Sequence, residues 1–140
     1  MSDKRRATCP APSAIVAACH RCSAAMHAYS PAAGYAKIIA EGVTLLTRAT
    51  GAGPKLIDLC RSKYPHFDRV IATHIPAAVR EQARQLKRVR AFGSFQEIYL
   101  EAVLASLVDR GLLTAGLDAE TGDAEPPAKL PSGAPLERAA

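Results

Sequence analysis

Two cysteines stand at a spacing that a zinc site uses. Cys19-His20-Arg21-Cys22, with His27 close behind, supplies one Cys-x-x-Cys pair, which is half of a structural zinc site. A second half is missing, because Cys9, His20, His27 and Cys60 are scattered along the chain. Small cysteines in an Ala-rich helix are commonly core residues, so Cys19 and Cys22 are candidate ligands without a second pair. The expectation is no metal and no cofactor. Ser23 rather than His follows Cys22, which excludes the haem attachment pattern. Gly51-Ala-Gly-Pro-Lys55 lacks the spacing and the Ser or Thr of a phosphate-binding loop. Ser, His and Asp fall in no nucleophile motif, and no pair of carboxylates shares a helix face in a way that suggests acid–base work. The chain is therefore not expected to be an enzyme.

Charge is the stronger signal. The formal net charge is +5 over 140 residues, which favours a polyanionic partner. Its distribution is uneven: from Arg61 to Arg90 eight Lys or Arg face Asp68 and Glu81, whereas from Asp118 onward five acids face Lys129 and Arg138. Arg80, Arg84 and Arg88 recur at every fourth position. On a helix they repel one another, an arrangement that phosphates would neutralise and that a solvated face would tolerate.

The elements that must carry these residues follow from punctuation and periodicity. Residues 1–12 are basic and Pro-broken and are expected to form a disordered arm. A helical region follows over 13–63: an Ala-rich helix from Ser13 to Ala28, a break at Ser30–Gly34, an amphipathic helix from Tyr35 to Thr50, and a short helix from Pro54 to Lys63. Arg69–Ile75 is a β-branched run that meets Pro76. Pro76 opens a helix to about Arg90, whose apolar stripe is Val79, Ala83, Leu86 and Val89. Gly93 marks a tight turn, and Ser94-Phe95-Gln96-Glu97 matches a capping box for the next helix. That helix is apolar around much of its circumference, which implies burial on more than one side, as in a dimer core. Gly111 is placed to cap its end. Residues 117–140, rich in Ala, Gly, Pro and acids, are expected to be a disordered tail, either a solubilising end or a contact for a protein partner. No stretch approaches the roughly 20 apolar residues that span a bilayer. Nothing indicates secretion, so a cytoplasmic protein with reduced thiols is expected.

A single strand at Arg69–Ile75 needs a partner for its backbone. A strand paired across a dimer, then a helix, a Gly-Ser turn and a second helix over residues 69–112, resembles the ribbon-helix-helix (MetJ/Arc/CopG-like) DNA-binding family. The expected fold is thus mainly α: a ribbon-helix-helix unit of one short strand and two helices, with an N-terminal helical region.

The resemblance implies double-stranded DNA as the partner, a homodimer, and a role as transcriptional repressor, antitoxin or plasmid partition or transfer (conjugation) factor. It implies that Val70, Ala72 and His74 face the base edges while Ile71, Thr73 and Ile75 face inward. Val70 and Ala72 offer only apolar contact, where the family generally places polar side chains. It also implies phosphate contacts at the amino end of the second helix, Gly93 and Ser94, with Arg69, Arg80, Arg84, Lys87 and Arg88 adding charge.

The strand partner could also come from the chain's own front end. A slide of 60 residues sets Tyr35, Ile38, Glu41, Val43 and Gly51 on Phe95, Ile98, Glu101, Val103 and Gly111, so residues 13–63 could be a degenerate first copy in an intrachain pseudo-dimer, as in a plasmid T-DNA transfer member of the family. The prolines in Cys9–Ile15 weigh against a strand there. The competing expectation is an all-helical interaction module without DNA binding, in which Arg69–Ile75 is extended chain or a lone edge strand.

Overall fold

A computed structural model of the chain describes residues 4–28, 30–48 and 55–118. The expected tail from 119 to 140 and the loop Gly51–Pro54 lie outside the described residues. The elements run β1 (Lys4–Ala11), α1 (Ser13–Ala25), α2 (Pro31–Arg48), α3 (Leu56–Lys63), β2 (Arg69–Pro76), α4 (Ala77–Val89) and α5 (Phe95–Asp109). The two strands form one antiparallel sheet, in register from Lys4 opposite Pro76 to Ala11 opposite Arg69. Among the described residues no helix is long and apolar enough to cross a membrane.

The expected disordered arm is therefore a strand over residues 4–11. Its inward residues are Ala7, Cys9 and Ala11, all buried, and they are small enough that the alternation is easy to miss. Pro10 is tolerated because both strands of a two-stranded sheet are edges, where a missing N–H need not break the ladder. β2 buries Ile71, Thr73 and Ile75, the inward set that the family resemblance implied. Each fully buried Ile contributes about 1.5–3 kcal/mol relative to an exposed one. The strand–strand pairing also removes the lone strand on which the all-helical alternative rested.

Residues 4–48 and 68–112 carry the same local structure at an offset of 64, since α1 begins at Ser13 and α4 at Ala77, and α2 at Pro31 and α5 at Phe95. The offset of 60 read from the sequence is corrected by four positions: Tyr35 corresponds to Tyr99 and not to Phe95. The correspondence reaches details of the backbone. Pro12 and Pro76 precede α1 and α4 with nearly the same conformation, φ −66, ψ 150 and φ −59, ψ 148. His27 and Ala91 both adopt positive φ, 58° and 57°, where the chain leaves each first helix. There the amides of Ala28 and Phe92 reach the carbonyls of Ser23 and Lys87, the Schellman closure of a helix end. Ser30 and Ser94 then cap the second helices, their hydroxyls accepting the amides of Ala33 and Glu97 at 3.1 and 3.3 Å.

The two halves also pack reciprocally. A Cβ on Gly42 would collide with the backbone of Ala102, and Ser106 donates to the carbonyl of Ile38 at 2.6 Å. Offset by 64, Gly42 corresponds to Ser106 and Ile38 to Ala102, so these are one crossing contact seen from its two sides. The break expected at Ser30–Gly34 is helix from Pro31 onward. Gly34 serves there as a point of close approach, since any side chain on it would strike Ser23.

α5 lies at the centre and packs against α1, α2, α3, α4 and β1. The burial on many sides that the sequence alone attributes to a dimer core is supplied here by elements of the same chain. α3 lies between the halves in sequence and packs against α5. Its first amides, Leu56 and Ile57, donate to the buried Glu101 carboxylate at 2.9 and 2.8 Å, so a side chain of α5 caps a helix 45 residues away in sequence. Past α5, Gly111 has φ 78 and closes the helix as expected. The chain stays packed to Leu117, which is buried and whose carbonyl accepts the Tyr64 hydroxyl at 2.8 Å. The tail expected to start at 117 is thus ordered through Asp118.

Candidate nucleic-acid interface

The exposed face of the β1–β2 ribbon is the surface that the family resemblance expects to face the base edges. By parity this face carries Lys4, Arg6, Thr8 and Pro10 from β1 and Val70, Ala72, His74 and Pro76 from β2. Arg6, Val70 and His74 are exposed, and Thr8 and Ala72 are partly covered. The register sets Arg6 opposite His74, Thr8 opposite Ala72, and Pro10 opposite Val70. Val70, Ala72 and His74 are therefore brought together on the expected face. Arg6, Thr8 and Lys4 share it and were missed. The available signal was Lys4–Ala11 itself, where Ala7, Cys9 and Ala11 alternate with Arg6, Thr8 and Pro10. Among the described residues, neither Arg6 nor His74 has an ion pair or a side-chain hydrogen bond.

The phosphate candidates divide. Arg80 and Arg84 converge on the amino end of α5, their guanidinium carbons 4.3 and 5.9 Å from the Phe95 ring centroid. Arg84 also meets Glu81 at 3.3 Å. Lys87 and Arg88 sit in the last turn of α4, about 17 Å of helix beyond Pro76 at 1.5 Å per residue. There they complement the helix dipole. Arg69 is exposed, but it shares the parity of the inward residues Ile71 and Thr73, and its charge acts on the Tyr35 hydroxyl.

Gly93 and Ser94 are engaged from within. The Gly93 amide donates to Glu97 at 2.8 Å, Ser94 caps Glu97, and Glu97 pairs with Arg61 at 3.0 Å. The Arg61 hydrogen bond and then the Gly93 amide hold the Glu97 carboxyl below its ordinary range. A carboxylate thus already occupies the amide expected to meet a phosphate. The equivalent end of α2 has no acid in its first turn. It borders an open groove lined by Lys4, Lys37, Ser30, Ala33, Thr73 and His74, with the Thr73 hydroxyl donating to Ala32 at 2.5 Å. The two helix starts that flank the ribbon therefore differ in carrying an acid or not.

The cysteines lie on the other side of the ribbon. All four are free and buried. Burial pushes the thiols of Cys9 and Cys19 up to about 12 and that of Cys60 to about 11, and raises Cys22 as well. Metal ligation and nucleophilic attack both need the thiolate, and these surroundings oppose it. His20 turns to Tyr35, with Nε2 and the hydroxyl 2.8 Å apart. Among the described residues no three His, Cys, Asp or Glu side chains are grouped so as to hold a metal ion.

Comparison with protein-family models, with curated proteins and with solved structures finds no match.

Proposed function

We propose that this chain is a double-stranded DNA-binding regulator of ribbon-helix-helix type, with both halves of the usual dimer in one polypeptide. In this reading the β1–β2 ribbon lies in the major groove. Two strands about 4.8 Å apart, with their side chains, fit a groove about 12 Å wide. The observation that carries the proposal is the exposed ribbon face, where Lys4, Arg6, Thr8 and His74 stand over a buried inner face of Ala7, Cys9, Ala11, Ile71, Thr73 and Ile75. A ribbon that turns Lys4, Arg6 and His74 outward over an underside of core suits an anion.

Arg6 can donate in parallel to guanine O6 and N7, Thr8 can donate or accept, and His74 can do either. Arg80, Arg84, Lys4 and Lys37 add phosphate attraction on the flanks. Repressor, antitoxin and partition or transfer roles all begin with this complex, and a surface contact elsewhere would distinguish them.

Mobility shift of a mixed-sequence duplex at several salt concentrations tests the reading. Binding should weaken steeply as salt rises, with a log–log slope of about −0.9 per phosphate neutralised. The variant carrying Arg6→Ala and His74→Ala should bind more weakly. No shift at low salt, or a shift indifferent to both substitutions, would refute the assignment.

A further inference from the structure

The ribbon is related to itself by the offset of 64, and this defines where its two ends are equivalent and where they differ. The pair Cys9–Ile71 maps onto Thr73–Ala7, which is also a register pair. Thr8 and Ala72 map onto each other, so the pseudo-twofold passes through that pair. Arg6 then corresponds to Val70, and Pro10 to His74. The partners across the strands are Arg6 with His74 and Pro10 with Val70. One end of the outward face therefore holds both the cation and the imidazole, and the other holds two apolar side chains, with Val70 63% exposed. The contrast extends one step further out, where Lys4 corresponds to Asp68. A homodimer could not present such a face, because identical strands would place the same residue at both ends.

We propose that a single copy of this chain recognises a non-palindromic duplex site, with guanine under the Arg6/His74 end and thymine methyl groups under the Pro10/Val70 end. This rests on the duplex-binding reading above and adds to it the asymmetry and the chemistry of each half. Arg6 supplies the bidentate donor that suits guanine O6 and N7, and His74 opposite it supplies one further polar contact. Pro10 and Val70 have no side-chain donor or acceptor, and the feature of a major groove that rewards an apolar surface is the thymine C5-methyl. Thr8 and Ala72 lie over the centre. Arg6 and Pro10 are four residues apart along one strand, about 13 Å at 3.3–3.4 Å per residue. The two preferences should thus be centred about four base pairs apart at 3.4 Å per step.

The experiment is selection of the full chain on a randomised duplex library, followed by titration of the selected site. The expected site is asymmetric, with guanine enriched in one half and thymine in the other, bound by one chain per duplex. Replacing thymine by deoxyuridine should weaken binding several-fold in the thymine half and leave the guanine half unaffected. Arg6→Ala should lower discrimination for guanine tenfold or more. The exchange variant carrying Arg6→Val and Val70→Arg should move the guanine preference to the opposite half. Both positions are exposed, so the fold should survive the exchange, and far-ultraviolet circular dichroism checks this. A palindromic site, two chains per site, no sequence preference, or a guanine preference that stays in place in the exchange variant overturns the proposal while leaving duplex binding intact. No retention of any duplex at low salt overturns both readings.

Discussion

At the scale of single residues, several side chains are held in conformations or charge states that substitution can report. Ala91 sits at positive φ, a region that costs an L-residue about 1–2 kcal/mol and that glycine enters freely. Ala91→Gly should raise stability by about 0.5–1 kcal/mol, net of the extra entropy of an unfolded glycine; urea denaturation reads this directly, and a loss would mean that the methyl group packs against something. Glu97 supplies a pH test. Its carboxyl is depressed by Arg61 and then by the Gly93 amide. A depressed folded value means that its stabilisation is complete above the ordinary glutamate value of 4.5 and is lost as pH falls through the lower folded value. Glu97→Gln should therefore flatten the acid limb of the stability curve below about pH 4.5. An unchanged acid limb would assign that pH dependence to other carboxylates.

At the scale of elements, the crossing of α2 and α5 is set by a missing side chain. Gly42 lets α2 approach the Ala102 backbone. Gly42→Ala forces the helices apart in a close-packed core, which should cost about 1–3 kcal/mol despite the better helix propensity of alanine. A stabilised variant in a thermal melt would show that the crossing is looser than described. Serine at the equivalent position, Ser106, is accommodated because its hydroxyl reaches the Ile38 carbonyl. Glu101 acts between elements too. Without its carboxylate, Leu56 and Ile57 lose the acceptor that closes α3, and an unsatisfied buried donor costs about 1–3 kcal/mol. The Glu41–Arg110 pair, bidentate at 2.7 and 2.8 Å, joins the middle of α2 to the C-terminal end of α5 but is partly exposed, where such pairs contribute about 1 kcal/mol or less.

At the scale of the whole molecule, the strand partner and the cover for α5 come from the same chain. A fold that finds its partner strand internally needs no second copy to complete its sheet, and without such a copy its stability carries no mass-action dependence. The unfolding midpoint should stay constant over a hundredfold range of protein concentration, as followed by circular dichroism. A midpoint that climbs with concentration would show that copies stabilise one another. The same connectivity frees the two halves to diverge, so that α5 carries Glu97 at its amino end while the matching end of α2 borders Lys4 and Lys37.

The second half of the chain was legible in one dimension. The β-branched run before Pro76, the Ser94 cap and the Gly111 terminus are all local events, set by residues within one or two turns of each other, whereas the inward parity of Ile71, Thr73 and Ile75 was implied only by the family resemblance. α4 was legible except at Val89, which is 78% exposed rather than in the core stripe. What local chemistry left undecided was pairing. β1 has small inward residues and a proline, and only the ladder offered by β2, some 65 residues away, turns that weak alternation into a strand. The true repeat offset hides behind the same fact, since Tyr35 and Tyr99, and Ser30 and Ser94, match in type, whereas positions such as Arg6 and Val70 or His27 and Ala91 correspond in backbone geometry alone. Strand, cap and helix boundaries depend on neighbours in sequence. Which strand meets which, and hence whether Arg6 shares a face with His74 or with a second copy of itself, depends on neighbours in space.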